Sequence, residues 1–142
     1  MLQLQQIDHL VLRVVDLPTM LRFYIDVIGC TLEKVQETLG LYQLRAGSSL
    51  IDLVTVDGTL GQSGGAAPRK DGRNLDHFCL RVEPFDAAAI QRHLREHGVS
   101  AGAVESRYGA QGQGPSIYVD DPEGNVVELK GPPWPTEAAQ TP

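Results

Sequence analysis

An internal repeat that carries an Asp-His pair in each copy is the strongest constraint on this chain. Asp8-His9 begins one run of alternating apolar residues, and Asp76-His77 begins a second, similar run. The two histidines lie 68 residues apart (77 − 9 = 68). A duplication that keeps a histidine in register indicates two similar half-size modules, and it predicts one site to which both modules contribute.

Composition narrows the classes of protein to be considered. The chain has 142 residues and a net charge of −6, from 18 acidic and 12 basic residues, which argues against a nucleic-acid partner. The two cysteines match neither a disulfide framework nor a zinc-finger spacing. The N-terminus lacks the features of a secretory signal, and no apolar stretch reaches membrane-spanning length. We therefore expect a cytoplasmic protein with no membrane partner.

Each module is predicted to have the order β-α-β-β-β, and together they form a single α+β domain at 5–132. Module 1, about 5–57, has a strand at 7–14, an amphipathic helix at 17–28, and strands near Thr31–Gln36, Leu41–Arg45 and Ser49–Val56. A glycine-rich linker covers 58–74. Module 2, about 75–132, has a strand at 75–82, a helix from about Asp86 to His97, and weaker strands near Ala103–Glu105, Ser116–Val119 and Val126–Lys130. A Pro-containing tail follows at 133–142.

Alternation along the strands predicts which side chains lie opposite the helices. In the first strand Leu12 and Val14 face the helix, so His9 lies on the uncovered face, and the same pattern places His77 there in module 2. The acids of Ile51-Asp52-Leu53 and Val127-Glu128-Leu129 also lie between apolar neighbours that face a helix. Their offset is 76 residues (128 − 52 = 76), and we assign the extra length to a loop at Gly109–Gly114.

Two histidines and two acids at matching positions of a repeat form a candidate metal site. A lone strand histidine is more often structural than a ligand, but the combination favours a divalent ion such as Zn, Ni, Co, Fe or Mn. Arg13 lies on the same face and is a candidate to bind a substrate carboxylate or phosphate, as Arg81 is with less support. Tyr118 is a candidate substrate-binding residue, with core packing as the alternative.

Four segments resemble the vicinal oxygen chelate superfamily, which includes glyoxalase I, extradiol dioxygenases, fosfomycin-resistance transferases, methylmalonyl-CoA epimerase and bleomycin-resistance proteins. The resemblance covers 7–130, and its most specific part is the string at 118–129. The segments are Ile7-Asp8-His9, Phe23-Tyr24 with Val27-Ile28-Gly29, Leu75-Asp76-His77, and Tyr118-Val119-Asp120-Asp121-Pro122-Glu123-Gly124-Asn125-Val126-Val127-Glu128-Leu129.

The resemblance implies paired βαβββ modules that form a cupped mixed β-sheet, with helices on the outer face and one divalent ion in the cup. The ion would be held by His9, His77 and Glu128, with Asp52 at the fourth position. It would bind two neighbouring oxygens of a small substrate and stabilise developing negative charge. Glu128 or Asp52 would serve as the catalytic base. A homodimer with shared sites is expected, because cups in this family are often formed between subunits.

Three functions remain open at this point. A glyoxalase-like lyase or isomerase, acting on a substrate that is possibly a thiol adduct, is favoured because Arg13 matches an arginine that glyoxalase I uses for glutathione. Glyoxalase I, however, has glutamate in place of Asp52 and an asparagine where this chain has Val56. The second reading is an extradiol-type dioxygenase with Fe²⁺, and the third is a non-catalytic protein that sequesters a ligand, as bleomycin-resistance proteins do.

Overall fold

The computed structural model describes residues 1–135 and divides the chain into two compact units, Met1–Arg73 and Asn74–Pro142. Each unit contains one four-stranded sheet. Positions 136–142, most of the predicted tail at 133–142, lie outside the described residues. Within 1–135, every helix is too short or too polar to traverse a bilayer.

The first unit has the predicted order βαβββ. Its elements are β1 (His9–Val14), α1 (Leu17–Arg22), a π-helical turn (Phe23–Val27), β2 (Thr31–Gln36), β3 (Leu41–Ala46) and β4 (Ser49–Thr55), with 3₁₀ turns at Glu37–Leu39 and Gly61–Gly64. Strand β1 is parallel to β4, and the antiparallel strands β3 and β2 continue the sheet in the order β1-β4-β3-β2.

The single helix predicted at 17–28 is instead α1 followed by the π-helical turn. Asp16 begins α1 by accepting a hydrogen bond from the backbone N–H of Thr19 at 3.2 Å. The backbone N–H of Ile28 donates to the carbonyl of Phe23 at 3.0 Å, which is the wider i→i+5 pattern. An apolar stripe alone does not distinguish the two windings, because both bury one face of the segment.

The second unit repeats the order and thereby confirms the prediction of an α+β fold. The sheet order is β5-β8-β7-β6, with β5 parallel to β8 and the other pairs antiparallel. Asp86 begins its helix, as predicted, and Leu94 is the helix residue that is buried. The elements are β5 (Phe78–Arg81), α2 (Ala87–Glu96), β6 (Glu105–Gly109), β7 (Gly112–Asp120) and β8 (Val126–Lys130).

The segment Gly109–Gly114, predicted as a loop, is the tip of a tight hairpin in which Gly109 pairs with Gly112. A Cβ on Gly109 would lie 2.6 Å from Cε of Lys130, and one on Gly114 would lie 2.6 Å from the carbonyl oxygen of Pro132. Most of the extra length of the second unit lies in this longer hairpin, where the sequence placed it. Ala101 bridges Val119, 18 residues later (119 − 101 = 18), whereas the corresponding residues of the first unit, Leu32 and Leu44, are 12 apart (44 − 32 = 12).

Candidate metal centre

His9 and Asp52 lie on the same face of the first sheet. Val11 is the β1 residue paired with Asp52, and His9 is two positions from Val11, so both side chains point to the same side. Nδ1 of His9 lies 2.7 Å from a carboxylate oxygen of Asp8, which can only accept a hydrogen bond, so Nδ1 is the donor. This bond to Asp8 is the main cause that raises the pKa of His9, and the charge of Asp52 adds to it. In the neutral imidazole, Nε2 is left with the lone pair.

Asp52 is a buried acid with one oxygen that has no hydrogen-bond partner. The residue is 3% exposed, and Oδ2 accepts a hydrogen bond from Nε2 of Gln43 at 3.2 Å. Oδ1 is buried and finds no donor among the described residues. A buried carboxylate oxygen without a donor is costly, so the position favours a cation beside Oδ1.

His77 and Glu128 form the corresponding pair in the second unit. Nδ1 of His77 donates to Asp76 at 2.7 Å, as Nδ1 of His9 does to Asp8. Nε2 of His77 lies 3.3 Å from Oε2 of Glu128, and the side chain of Glu128 is 8% exposed. Oε1 of Glu128 accepts a hydrogen bond from the hydroxyl of Ser116 at 2.6 Å. When Nδ1 carries the ring proton, Nε2 of His77 and Oε2 of Glu128 both present lone pairs to each other. Two such atoms at 3.3 Å repel unless a second proton on the imidazole or a metal ion lies between them.

Tyr118 contacts the imidazole of His77 from the side. The two rings lie edge to face, with centroids 5.3 Å apart, and the guanidinium of Arg107 lies 4.1 Å above the Tyr118 ring. Arg107 also donates to the hydroxyl of Ser116 at 3.1 Å. Tyr118 therefore restricts the ring of His77, and the substrate-binding role predicted for it stays a prediction.

Three residues next to the candidate ligands were not found from the sequence. The three residues are Gln43, Ser116 and Arg107, which lie on strands beside those of Asp52 and Glu128. They come close to these acids only because of the register of β3 with β4, of β7 with β8 and of β6 with β7. Strand alternation predicts the face of each side chain, but it does not predict which residues are opposite each other.

Arg13, the other predicted substrate-binding residue, holds the glycine-rich segment that follows the first sheet. Its guanidinium donates to the carbonyls of Gly61 at 2.9 Å, Gly65 at 2.6 Å and Ala66 at 3.0 Å. These bonds use three of its five N–H groups. A substrate anion would have to share Arg13 with this segment.

Residues 6–129 match the family model of the Glyoxalase/Bleomycin resistance protein/Dioxygenase superfamily. The chain belongs to this superfamily. The match spans both units, each of which has the βαβββ order that resemblance to the vicinal oxygen chelate proteins implies.

Two curated relatives match most of the chain. A glyoxalase domain-containing protein, RDO1 of Mycosarcoma maydis, is 34% identical over 130 residues, which are 90% of this chain and 69% of the relative. The virulence protein STM3117 of Salmonella typhimurium is 30% identical over 128 residues, 89% of this chain and 83% of the relative. The crystal structure of the latter has a TM-score of 0.74 at 25% identity and covers 92% of this chain and 99% of that one.

The donor atoms in each unit fit the divalent metal that is typical of the superfamily. Each unit offers one imidazole Nε2 and one buried carboxylate. Metal bonds of about 2.1 Å at tetrahedral angles separate two ligand atoms by roughly 3.4 Å, close to the 3.3 Å between His77 and Glu128. Within 1–135, no three side chains of His, Cys, Asp or Glu form a group that could hold a metal by itself. Each unit, taken by itself, therefore offers two donor groups.

Proposed function

We propose that this protein is a divalent-metal-dependent, glyoxalase-like lyase or isomerase. His9 and Asp52 supply one half of the ligand set, and His77 and Glu128 supply the other. The substrate is a small molecule held through two neighbouring oxygens, and a thiol adduct of an oxo compound has this chemistry. The observation that carries the proposal is the buried, unpartnered Oδ1 of Asp52 on the same face as a histidine whose Nδ1 is already engaged.

The residues around the four ligands support metal binding in the same way in both units. Asp8 and Asp76 hold the Nδ1 proton of each histidine, so that Nε2 carries the lone pair a metal needs. Gln43 and Ser116 each donate to one oxygen of the neighbouring acid. The second carboxylate oxygen in each unit is thereby left to bind the cation.

Glu128 is the better of the two candidates for the catalytic base. When bound, the metal supplies Lewis-acid stabilisation of negative charge on the substrate oxygens. Ser116 fixes Oε1 of Glu128, whereas Oε2 faces His77. Oε2 would hold the metal in the resting site, and on detaching from it Oε2 would accept a proton from the substrate carbon and return it to the neighbouring carbon. Asp52 has the shorter side chain and is engaged by Gln43, so it serves chiefly as a ligand.

A homodimer in which the two halves of each site come from different subunits fits a chain whose units each offer two ligands. The first test is metal content and mass, measured on protein purified without chelators. We expect one Zn, Ni, Co, Fe or Mn ion per chain and a dimeric mass, with a lower melting temperature after chelation that returns on reloading. Protein that binds no divalent ion after incubation with each of these metals would contradict the proposal.

Removing an orienting aspartate is expected to weaken metal binding without removing a ligand. Asp76→Ala releases the Nδ1 proton of His77, and loss of such an orienting partner typically costs ~10–100-fold in metal affinity. Competition with a fluorescent chelator measures the change. Asp26→Asn, at an exposed acid of the π-helical turn, is the matched control and should leave the affinity unchanged. Equal affinities for the two variants would show that Asp76 does not orient a ligand.

A further inference from the structure

Two basic residues lie side by side on the face of the second sheet that carries Glu128. Arg81 in β5 is directly paired with Lys130 in β8. Lys130 is two positions after Glu128, and Arg81 is two positions after Cys79, which is paired with Glu128, so all four side chains share one face. Like charges at directly opposed positions of a sheet destabilise it. Sheet stability therefore does not explain why Arg81 and Lys130 lie opposite each other.

Neither of these cations has an acidic partner. Lys130 is 3% exposed, and its ammonium donates to the carbonyls of Arg107 and, at 3.2 Å, Gly114. The guanidinium of Arg81 donates to the carbonyl of Gly131. Within 1–135, no carboxylate oxygen lies within 4.0 Å of a side-chain nitrogen of either residue. Carbonyl oxygens accept some of the N–H groups but leave both positive charges without a carboxylate partner, which is costly for a buried ammonium.

Arg107, the third cation near this face, differs because its charge is compensated. Its NH2 donates to a carboxylate oxygen of Glu105 at 2.9 Å, and its remaining contacts are with Ser116 and Tyr118. Of these three cations, only Arg81 and Lys130 lack a carboxylate partner among residues 1–135.

Both cations keep N–H groups that no carbonyl oxygen uses. Carbonyl oxygens use two of the three ammonium protons of Lys130 and one of the five N–H groups of Arg81. Donors thus remain for an anion.

We propose that Arg81 and Lys130 form an anion-binding subsite that takes a carboxylate or phosphate group. Its position follows from the strand spacing: two residues of β8 span roughly 6.6 Å, so the anion lies about that far from the position of Glu128. The position of this subsite also describes the substrate, a statement that rests on the proposed function. The substrate would carry an anionic group about 6–7 Å from the oxygens that the metal holds. The subsite itself does not need the metal.

The subsite is tested on metal-free protein by titration with inorganic phosphate and, separately, with malonate, followed by NMR shifts of backbone amides in β5 and β8. Saturable shifts are expected, and the tighter of the two ligands identifies a phosphate or a carboxylate as the group bound. Arg81→Gln, at an exposed residue, should weaken binding at least ~10-fold because a charged hydrogen bond is lost. Arg92→Gln on the exposed surface of α2 is the matched control, with unchanged affinity.

A second pair of variants covers the buried partner. Lys130→Met keeps the aliphatic stem but removes the charge, and Gly109→Ala keeps the charge but forces Cε of Lys130 away from a Cβ that would lie 2.6 Å from it. Both should weaken phosphate binding. If wild-type protein binds neither anion, or if both bind equally well to the Arg81 and Lys130 variants, the subsite does not exist.

Glu128→Gln separates this inference from the proposed function. It removes a metal ligand and a negative charge near the subsite, so metal binding should fail while phosphate binding persists or becomes tighter. Wild-type protein that binds phosphate but no metal would overturn the metal-dependent function and leave the subsite in place. Wild-type protein that binds metal but no anion would overturn the subsite and leave the metal-dependent function in place.

Discussion

Replacing His77 by alanine is expected to lower the affinity for Zn²⁺ more than ~100-fold, beyond the 10–100-fold typical of losing an orienting partner. Nε2 of His77 faces Oε2 of Glu128 at 3.3 Å, so removing the imidazole leaves that carboxylate without its co-ligand. His9→Ala should have an effect of the same size, because both histidines bind one ion in the proposed site. Metal competition on purified variants measures both, and His93→Gln on α2 is the control, with an expected ratio to wild type near one.

Mixed dimers of these two variants distinguish where the halves of a site come from. When each site is shared between subunits, a dimer of one His9→Ala chain and one His77→Ala chain has one site that lacks both histidines and one that is intact. When each site lies within one subunit, both sites of the mixed dimer lack one histidine. Co-expression with two different tags isolates the mixed dimer. One tightly bound ion per dimer supports sharing between subunits, and none rules it out.

Asp52→Asn is expected to make the metal-free protein more stable while it abolishes tight metal binding. Oδ1 of Asp52 is buried without a donor, so removing its charge should recover part of a desolvation cost of about 1–3 kcal/mol. Urea unfolding in the presence of a chelator measures the gain. In saturating metal the order should reverse, because wild type alone then gains the binding free energy.

Glu128→Gln is the matched comparison, since Glu128 is equally buried but has partners for both oxygens. Ser116 donates to Oε1, and His77 lies beside Oε2. Loss of the charge should therefore lower the stability of the metal-free protein by about 1.5–3 kcal/mol, the range for hydrogen bonds to charged groups. If both variants shift stability in the same direction, the difference in partners between Asp52 and Glu128 does not control their energetics.

The sequence predicts on which face of a sheet each side chain lies, but it does not predict which residues of adjacent strands lie opposite each other. Alternation placed His9 with Asp52, and His77 with Glu128, because a strand has a period of two and one face of each sheet must be covered by a helix. Pairing of Gln43 with Asp52, and of Tyr118 with Glu128, depends on register, which has no signal within a single strand.

The second hairpin shows why glycine-rich segments mislead. Gly109, Gly112 and Gly114 interrupt any alternation of side chains, so the segment resembles a loop in sequence. In the folded chain two of these positions are where Lys130 and Pro132 approach the backbone. The missing Cβ of Gly109 interrupts the alternation of side chains in sequence, and in the folded chain it makes room for the side chain of the buried Lys130.

Each aspartate that holds an imidazole is the residue immediately before that histidine. The orienting acid and its ring are therefore inherited together in a segment of two residues, and the acid that completes the pair lies on a strand of the same unit. One copy of the module therefore carries a histidine, the acid that orients its ring and a buried acid on the same face of its sheet, so that each unit by itself prepares the two donors that the proposed function assigns to it.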